Sequence, residues 1–204
     1  MSKKIHTTAL SKPIFKIVAE ASSLLNLESY VIGGYVRDFI LNRTNSKDID
    51  IVTIGSGIDL AKKVSSLIPS QPKVSIFKNY GTAMLKTDEI EIEFVGARKE
   101  SYQKTSRNPA IEEGTLEDDQ NRRDFTINAM PLSLNEYNVG ELLDPFNGIN
   151  DLNNKIIRTP LDPDITFNDD PLRMLRAIRF ATQLQFRIED QSFTSIQKNA
   201  KRIT

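Results

Sequence analysis

Two residue types from which many reactive sites are built are nearly missing from this 204-residue chain: it has no cysteine and one histidine, His6. Without cysteine there is no disulfide, iron–sulfur cluster, thiolate zinc site or Cys–His pair. A single histidine cannot assemble an imidazole metal site and leaves any Ser–His pair resting on one residue. Any bound metal is therefore expected to sit on oxygen. Long apolar runs are also lacking. Fragments such as Phe39–Leu41 and Ile17–Ala19 fall far short of the roughly 20 residues of a bilayer span, and Met1-Ser-Lys-Lys-Ile5 has no apolar signal core, so a cytoplasmic protein without a membrane span is expected. An excess of one charge is missing too: 27 basic residues face 27 acidic ones, which leaves no global pull on a polyanion. There is no internal repeat or low-complexity tract, and 39% apolar with 26% charged residues is the composition of a globular chain. The length suits one domain with a small helical appendage. Nothing in the sequence speaks to oligomeric state.

The periodicities read as a mixed α/β pattern. Apolar positions Leu10, Ile14, Ile17, Val18, Ala21, Leu24 and Leu25, with Pro13 near the start, predict an amphipathic helix over 9–26. Ser29–Ile32 is a short buried strand running into Gly33-Gly34 and a helix over 35–41. After a polar turn from Asn42 to Lys47, Asp48-Ile-Asp-Ile-Val-Thr53 alternates as a strand with one wet face. Ile58–Leu67 reads as helix, and 74–77, 82–86 and 89–95 as strands. From Lys99 to Arg123 the periodicity fails, and the charged stretch 104–119, punctuated by Pro109 and Gly114, predicts a mobile loop. Order resumes over 124–130 and 139–143. An amphipathic helix with an acidic first turn is expected from Asp170-Pro171 onward, and another from Gln191 to Lys201. The stop at Thr204 inside helical sequence suggests that the natural chain continues.

Positions i and i+2 of a strand share a face about 7 Å apart, so Asp48 and Asp50 can serve a pair of divalent cations about 3.5–4 Å from each other. Magnesium takes oxygen ligands and leaves several to water and phosphate, so two or three carboxylates suffice. Asp-x-Asp alone equally describes a solvated strand edge. Glu89, Glu91 and Glu93 alternate with apolar residues on a later strand; any of them could supply a third carboxylate, or all could be an exposed edge. Gly33-Gly34 lets a backbone approach a ligand, and the helix start behind it offers N–H groups to a triphosphate, although a double glycine is also simply a turn. The two arginine-rich strings, 121–130 and 169–181, suit phosphate oxygens or a base edge. On the second, the Asp169, Arg173 and Arg176 spacing also permits plain intrahelical ion pairing.

Gly33-Gly-Tyr-Val-Arg-Asp38, Asp48-x-Asp50, Arg122-Arg-Asp-Phe-Thr-Ile-Asn-Ala129 and Asp170-Pro-Leu-Arg-Met-Leu-Arg-Ala-Ile-Arg-Phe-Ala181, in that order, resemble the motifs of class II tRNA nucleotidyltransferases, the CCA-adding enzymes and bacterial poly(A) polymerases. The resemblance covers about residues 28–190. It implies a polymerase-beta-type nucleotidyltransferase head, an α/β (α+β) fold with a mixed sheet, over 1–150, and the beginning of a helical neck over 151–204. The parts that grip tRNA would lie beyond Thr204. Carried over, Asp48, Asp50 and Glu93 become catalytic metal ligands for two magnesium ions. Gly33, Gly34 and Arg37 would face the triphosphate. Arg122, Arg123 and Asp124 would hold ribose and phosphates, with Asn128 and Arg176 completing the nucleotide-binding set. Asp169, Asp170 and Arg173 would template the incoming base, position 169 being Asp where Glu is usual. The implied reaction is attack of a tRNA 3′ hydroxyl on the α-phosphorus of CTP or ATP, adding CCA. A-only addition, poly(A) synthesis and a catalytically inactive RNA-binding module remain the alternatives.

Overall fold

The computed structural model describes residues 6–43, 47–103 and 106–203. Helix α1 (Pro13–Leu24) starts where Pro13, lacking an N–H, sits at the first turn, and turns Ile14, Phe15, Val18 and Ala21 into the core. It is shorter than the expected 9–26 because Leu25 caps it and Asn26 adopts a left-handed φ of 54°. Strand β1 (Ser29–Ile32) and helix α2 (Gly34–Ile40) follow, then β2 (Asp48–Thr53) and α3 (Gly57–Leu67), whose start is capped by the Ser56 hydroxyl accepting from the Asp59 N–H at 3.1 Å. Of the polar turn expected before β2, residues 44–46 lie outside the described residues. Strands β3 (Val74–Phe77), β4 (Thr82–Lys86) and β5 (Glu91–Gly96) complete the main sheet together with the short β8 (Leu132–Ser133).

The six strands run in the order β3-β4-β5-β2-β1-β8, antiparallel except for the parallel β2–β5 pair, which makes the sheet mixed, as expected. Paired residues share a face, so the register fixes what each face carries. One face presents Val31, Ile51, Phe94 and Ala83, all buried in the main core with Val18 of α1 and Leu60 and Val64 of α3. The other presents the row Ile32, Asp50, Glu93, Met84, and beside it Tyr30, Val52, Val95, Thr82, Phe77. The sheet thus divides its labour by face.

The stretch from Lys99 to Arg123 departs from the expected loop. Arg98–Gln103 (β6) and Ser106–Glu113 (β7) form an antiparallel two-stranded sheet of their own, and Leu116–Asn121 is helix α4. Residues 104 and 105 of the expected loop lie outside the described residues. A ribbon that adds no strand to the main sheet has no need for an apolar alternation, so the signal that marks a half-buried strand is missing. Helix α4 is held by a capping box: the Thr115 hydroxyl accepts from the Asp118 N–H, and the Asp118 carboxylate accepts from the Thr115 N–H at 2.8 Å.

Beyond α5 (Gly148–Asn153), a two-stranded parallel sheet joins β9 (Ile156–Ile157) to β10 (Arg187–Ile188). The helix expected from Asp170-Pro171 onward is α7 (Leu172–Leu184); it is preceded by a helix that was not expected, α6 (Pro163–Asp169). Pro171 pushes Asp170 into an extended conformation, φ −136° and ψ 101°, so Asp169 closes α6 and the acidic first turn expected of α7 is absent. Helix α8 (Asp190–Asn199) follows. Phe167, Met174, Phe180 and Ile196 of these helices belong to the same hydrophobic cluster as the sheet. Among the described residues no helix is long and apolar enough to cross a membrane.

Candidate active site

The parallel β2–β5 register sets Asp50 beside Glu93 and Asp48 beside Glu91. Loss of water pushes the Asp50 carboxyl above its ordinary 3.8; Asp48 and Asp119 push the same way, against Arg123 and Arg122. Glu93 is raised for the same reason and by Asp50 beside it, against Arg98, a hydrogen bond from Thr82, and Arg122. Two neighbouring carboxylates, Asp50 and Glu93, are thus held on one strip of sheet with Arg98, Arg122 and Arg123 acting against their raised affinity for protons. In front of it lies a cleft of about 210 Å3 lined by Asp50, Glu93, Thr82, Arg98, Arg122 and Arg123 among others. Gly33 adjoins Asp50 and Arg123 of this cleft. With φ at 79° it adopts a backbone that side chains rarely take, and a Cβ there would stand 2.6 Å from the Asp50 Oδ2. Gly34 opens α2, where an added Cβ would meet the Arg37 guanidinium only at ordinary contact distance.

Arg122 and Arg123 leave the end of α4 and converge on the buried Asp119. Arg122 donates through Nε at 2.9 Å and also pairs through its second nitrogen, and Arg123 donates through Nε at 3.0 Å. Burial alone would raise the Asp119 carboxyl; Arg123 and Arg122 outweigh it and hold the group below 3.8. Glu100, with its side chain 4% exposed, faces three guanidiniums: Arg98 at 2.8 Å, Arg122 at 3.5 Å and Arg173 at 3.9 Å. Asp119 and Glu100 are not among the residues expected from sequence. Asp119 precedes the two arginines by three and four residues, a helical spacing that becomes legible once Thr115-x-x-Asp118 is read as a capping box; Glu100 carries no such local signal.

Arg37, expected to face a triphosphate, is turned inward. It donates to both Asp38 oxygens at 2.9 and 3.0 Å and to the Asn128 Oδ1 at 2.9 Å, and its guanidinium lies 5.2 Å from the Phe180 ring centre. Asn128 in turn donates to Asp124 Oδ1 at 3.2 Å, and Arg176 donates to Asp124 Oδ2 at 2.7 Å. Arg37, Asn128, Asp124 and Arg176 thus form one network joining α2 to α7 behind the cleft. Asp169 and Asp170 sit at the α6–α7 junction. Loss of water raises the Asp169 carboxyl against the opposing pull of Arg173, and the Asp170 carboxylate accepts from the Leu172 N–H at 3.1 Å. Arg173 and Arg176 face Glu100 and Asp124 across the fold, so both pair between elements, and Arg173 also acts on Asp169.

Among the described residues no three Asp, Glu, His or Cys side chains are already gathered around one point that could hold an ion. The donor set nevertheless fits magnesium in kind: carboxylate oxygens on adjoining strands, two of them raised by mutual repulsion and desolvation, with an Asp50 oxygen left uncovered by the missing Cβ of Gly33.

Residues 29–158 match the poly A polymerase head domain family. The chain belongs to that family. The chain is 42% identical to an A-adding tRNA nucleotidyltransferase of Aquifex aeolicus over 79% of this chain and 19% of that protein, and 39% identical to a CCA-adding enzyme of Anoxybacillus flavithermus over 83% and 40%. A solved CCA-adding enzyme in an apo form superposes with a TM-score of 0.88 over 99% of this chain and 49% of its own, at 32% identity. A tRNA nucleotidyltransferase solved with a primer tRNA and an incoming ATP analogue gives 0.77 over 90% and 50%, at 34% identity. The chain spans at most half the length of these relatives. As a poly(A) polymerase-type head it carries the mixed α/β architecture expected from its motifs.

Proposed function

We propose that the protein containing this chain transfers CMP and AMP from CTP and ATP to the 3′ end of tRNA, building CCA without a nucleic-acid template. The observation that carries this reading is the Asp50–Glu93 register beside Gly33, with Arg122 and Arg123 on the facing wall of one cleft. It is supported by relatives that are CCA-adding enzymes and by solved relatives in complex with ATP and with CTP. On this reading residues 1–150 are the nucleotidyltransferase head and 151–204 the beginning of the neck.

Asp48, Asp50 and Glu93 would hold two magnesium ions, which when bound lower the charge on the triphosphate and favour ionisation of the attacking hydroxyl. The open backbone at Gly33 admits the triphosphate against the start of α2. Arg122 and Arg123, stiffened by Asp119, present their remaining N–H groups to phosphate and ribose oxygens. The 3′ hydroxyl attacks the α-phosphorus, a P–O bond forms, and pyrophosphate leaves. Arg37 and Asn128 act behind the site by fixing Asp124, and Asp170 and Arg173 offer acceptor and donor edges to the incoming base.

Primer extension on tRNA ending before CCA, with labelled CTP or ATP and magnesium, tests the reading in the full-length protein. Two C and one A should be added, and the Asp48→Ala, Asp50→Ala variant should add none. Addition of A alone would support the second reading, an A-adding enzyme, which the Aquifex relative favours.

A further inference from the structure

The sheet face that carries Asp50 and Glu93 continues past the carboxylates. Glu93 stands beside Met84 on β4, and Val95 beside Thr82 and then Phe77 on the edge strand β3. Phe77 is 43% exposed and Tyr80, in the turn that follows, 64%. With Met84 they line a second cavity, of about 350 Å3, whose remaining wall is Thr82, Glu93 and Arg98. Those last three also line the carboxylate cleft, so the two cavities meet at Glu93.

Edge strands are usually blunted by charge, and exposed aromatic rings are costly to leave in water. Here the rings stand next to a reactive cleft and a cation. Arg98 is fixed between them: it donates to Glu100 at 2.8 Å and to the Tyr80 carbonyl at 3.3 Å, tying the turn that bears Tyr80 to the cleft wall. Aromatic faces beside guanidinium groups take unpaired bases by stacking, with little regard to sequence.

We infer that Phe77, Tyr80 and Met84 form a stacking shelf for the terminal base of the RNA that receives the nucleotide. The inference rests on the nucleotidyl-transfer reading above. Gly33 and Ile32 lie on the β1 side of Asp50, whereas the shelf lies on the β4 side of Glu93. A base on the shelf therefore brings its ribose to Glu93 from the side opposite the Gly33 turn, leaving that turn to the incoming triphosphate. Stacking also suits a surface that must accept a different last base after each addition.

The test uses the full-length protein and a 5′-labelled RNA primer, intact or lacking its terminal base, with affinity read by fluorescence anisotropy and extension read separately. The wild type should lose about 10- to 100-fold in affinity when the terminal base is removed. Tyr80→Ala should lose the same on the intact primer and nothing further on the abasic one, Tyr80→Phe should bind like wild type, and KM for CTP and ATP should not move. Equal affinity of wild type for both primers, or an undiminished Tyr80→Ala effect on the abasic primer, would overturn the shelf. Base-dependent binding without any extension would keep the shelf and defeat the transfer reading; extension with no base dependence would do the reverse.

Discussion

At Gly33 two demands meet in one residue. Its φ of 79° disfavours any side chain, and a Cβ would collide with the Asp50 Oδ2 at 2.6 Å. The backbone conflict costs about 1–2 kcal/mol, which a domain of this size survives, but the collision moves a carboxylate on which the proposed chemistry depends. Misplacement of a reacting group by about 1 Å can cost on the order of 100-fold in rate. Gly33→Ala is therefore expected to fold, with an unchanged circular dichroism spectrum at 25 °C, and to lose about 100-fold or more in nucleotide incorporation. Glu100 presents the converse case, a buried anion facing Arg98, Arg122 and Arg173. Glu100→Gln leaves three guanidiniums without their shared counter-charge and is expected to lower unfolding free energy by about 3–5 kcal/mol in a urea titration.

Among the elements, the readable ones were those whose signal is local. The Asp48–Thr53 strand alternates because one of its faces is wet, and the Gly33-Gly34 turn and the apolar stripe of α7 are equally self-contained. The β6–β7 ribbon was illegible because its charged sequence carries no apolar alternation, and the end of α6 at Asp169 was hidden inside the Asp169, Arg173, Arg176 spacing that Pro171 interrupts. At the site Asp48, Asp50, Glu93 and the arginines were named from sequence, but the acids that hold the arginines were not, since Glu100 meets Arg173 only through tertiary packing, and Arg37 and Asp124 were legible as residues while the network that turns Arg37 inward was not. The short helix α4 carries the sharpest consequence. Asp119 at its end is held below the ordinary 3.8, so the unfolded chain binds that proton more readily than the folded one. Its stabilisation is complete above the ordinary value and is lost as pH falls through the lowered one. Asp119→Asn is expected to be less stable by about 3–5 kcal/mol at pH 7 and to show a shallower loss of stability below pH 4, measured by denaturant titration across pH.

For the whole molecule the deciding quantity is charge. The guanidiniums around the cleft are abundant, yet each is matched: Arg122 and Arg123 by Asp119, Arg98 and Arg173 by Glu100, Arg176 by Asp124. With 27 basic and 27 acidic residues, the full sequence carries no net charge. Such paired cations can grip the few phosphates of a nucleotide and the last residues of an RNA, where geometry is fixed, but among the described residues they form no extended basic track. Each phosphate neutralised on a single strand contributes a slope of about −0.7 in log K against log salt. The 204-residue chain by itself is therefore expected to bind single-stranded RNA weakly, with a slope no steeper than about −2, corresponding to two or three phosphates. A slope of about −4 or beyond in a salt series followed by anisotropy would mean that a phosphate track exists which these matched pairs do not provide, and that the head, not some other part of the protein, anchors the RNA.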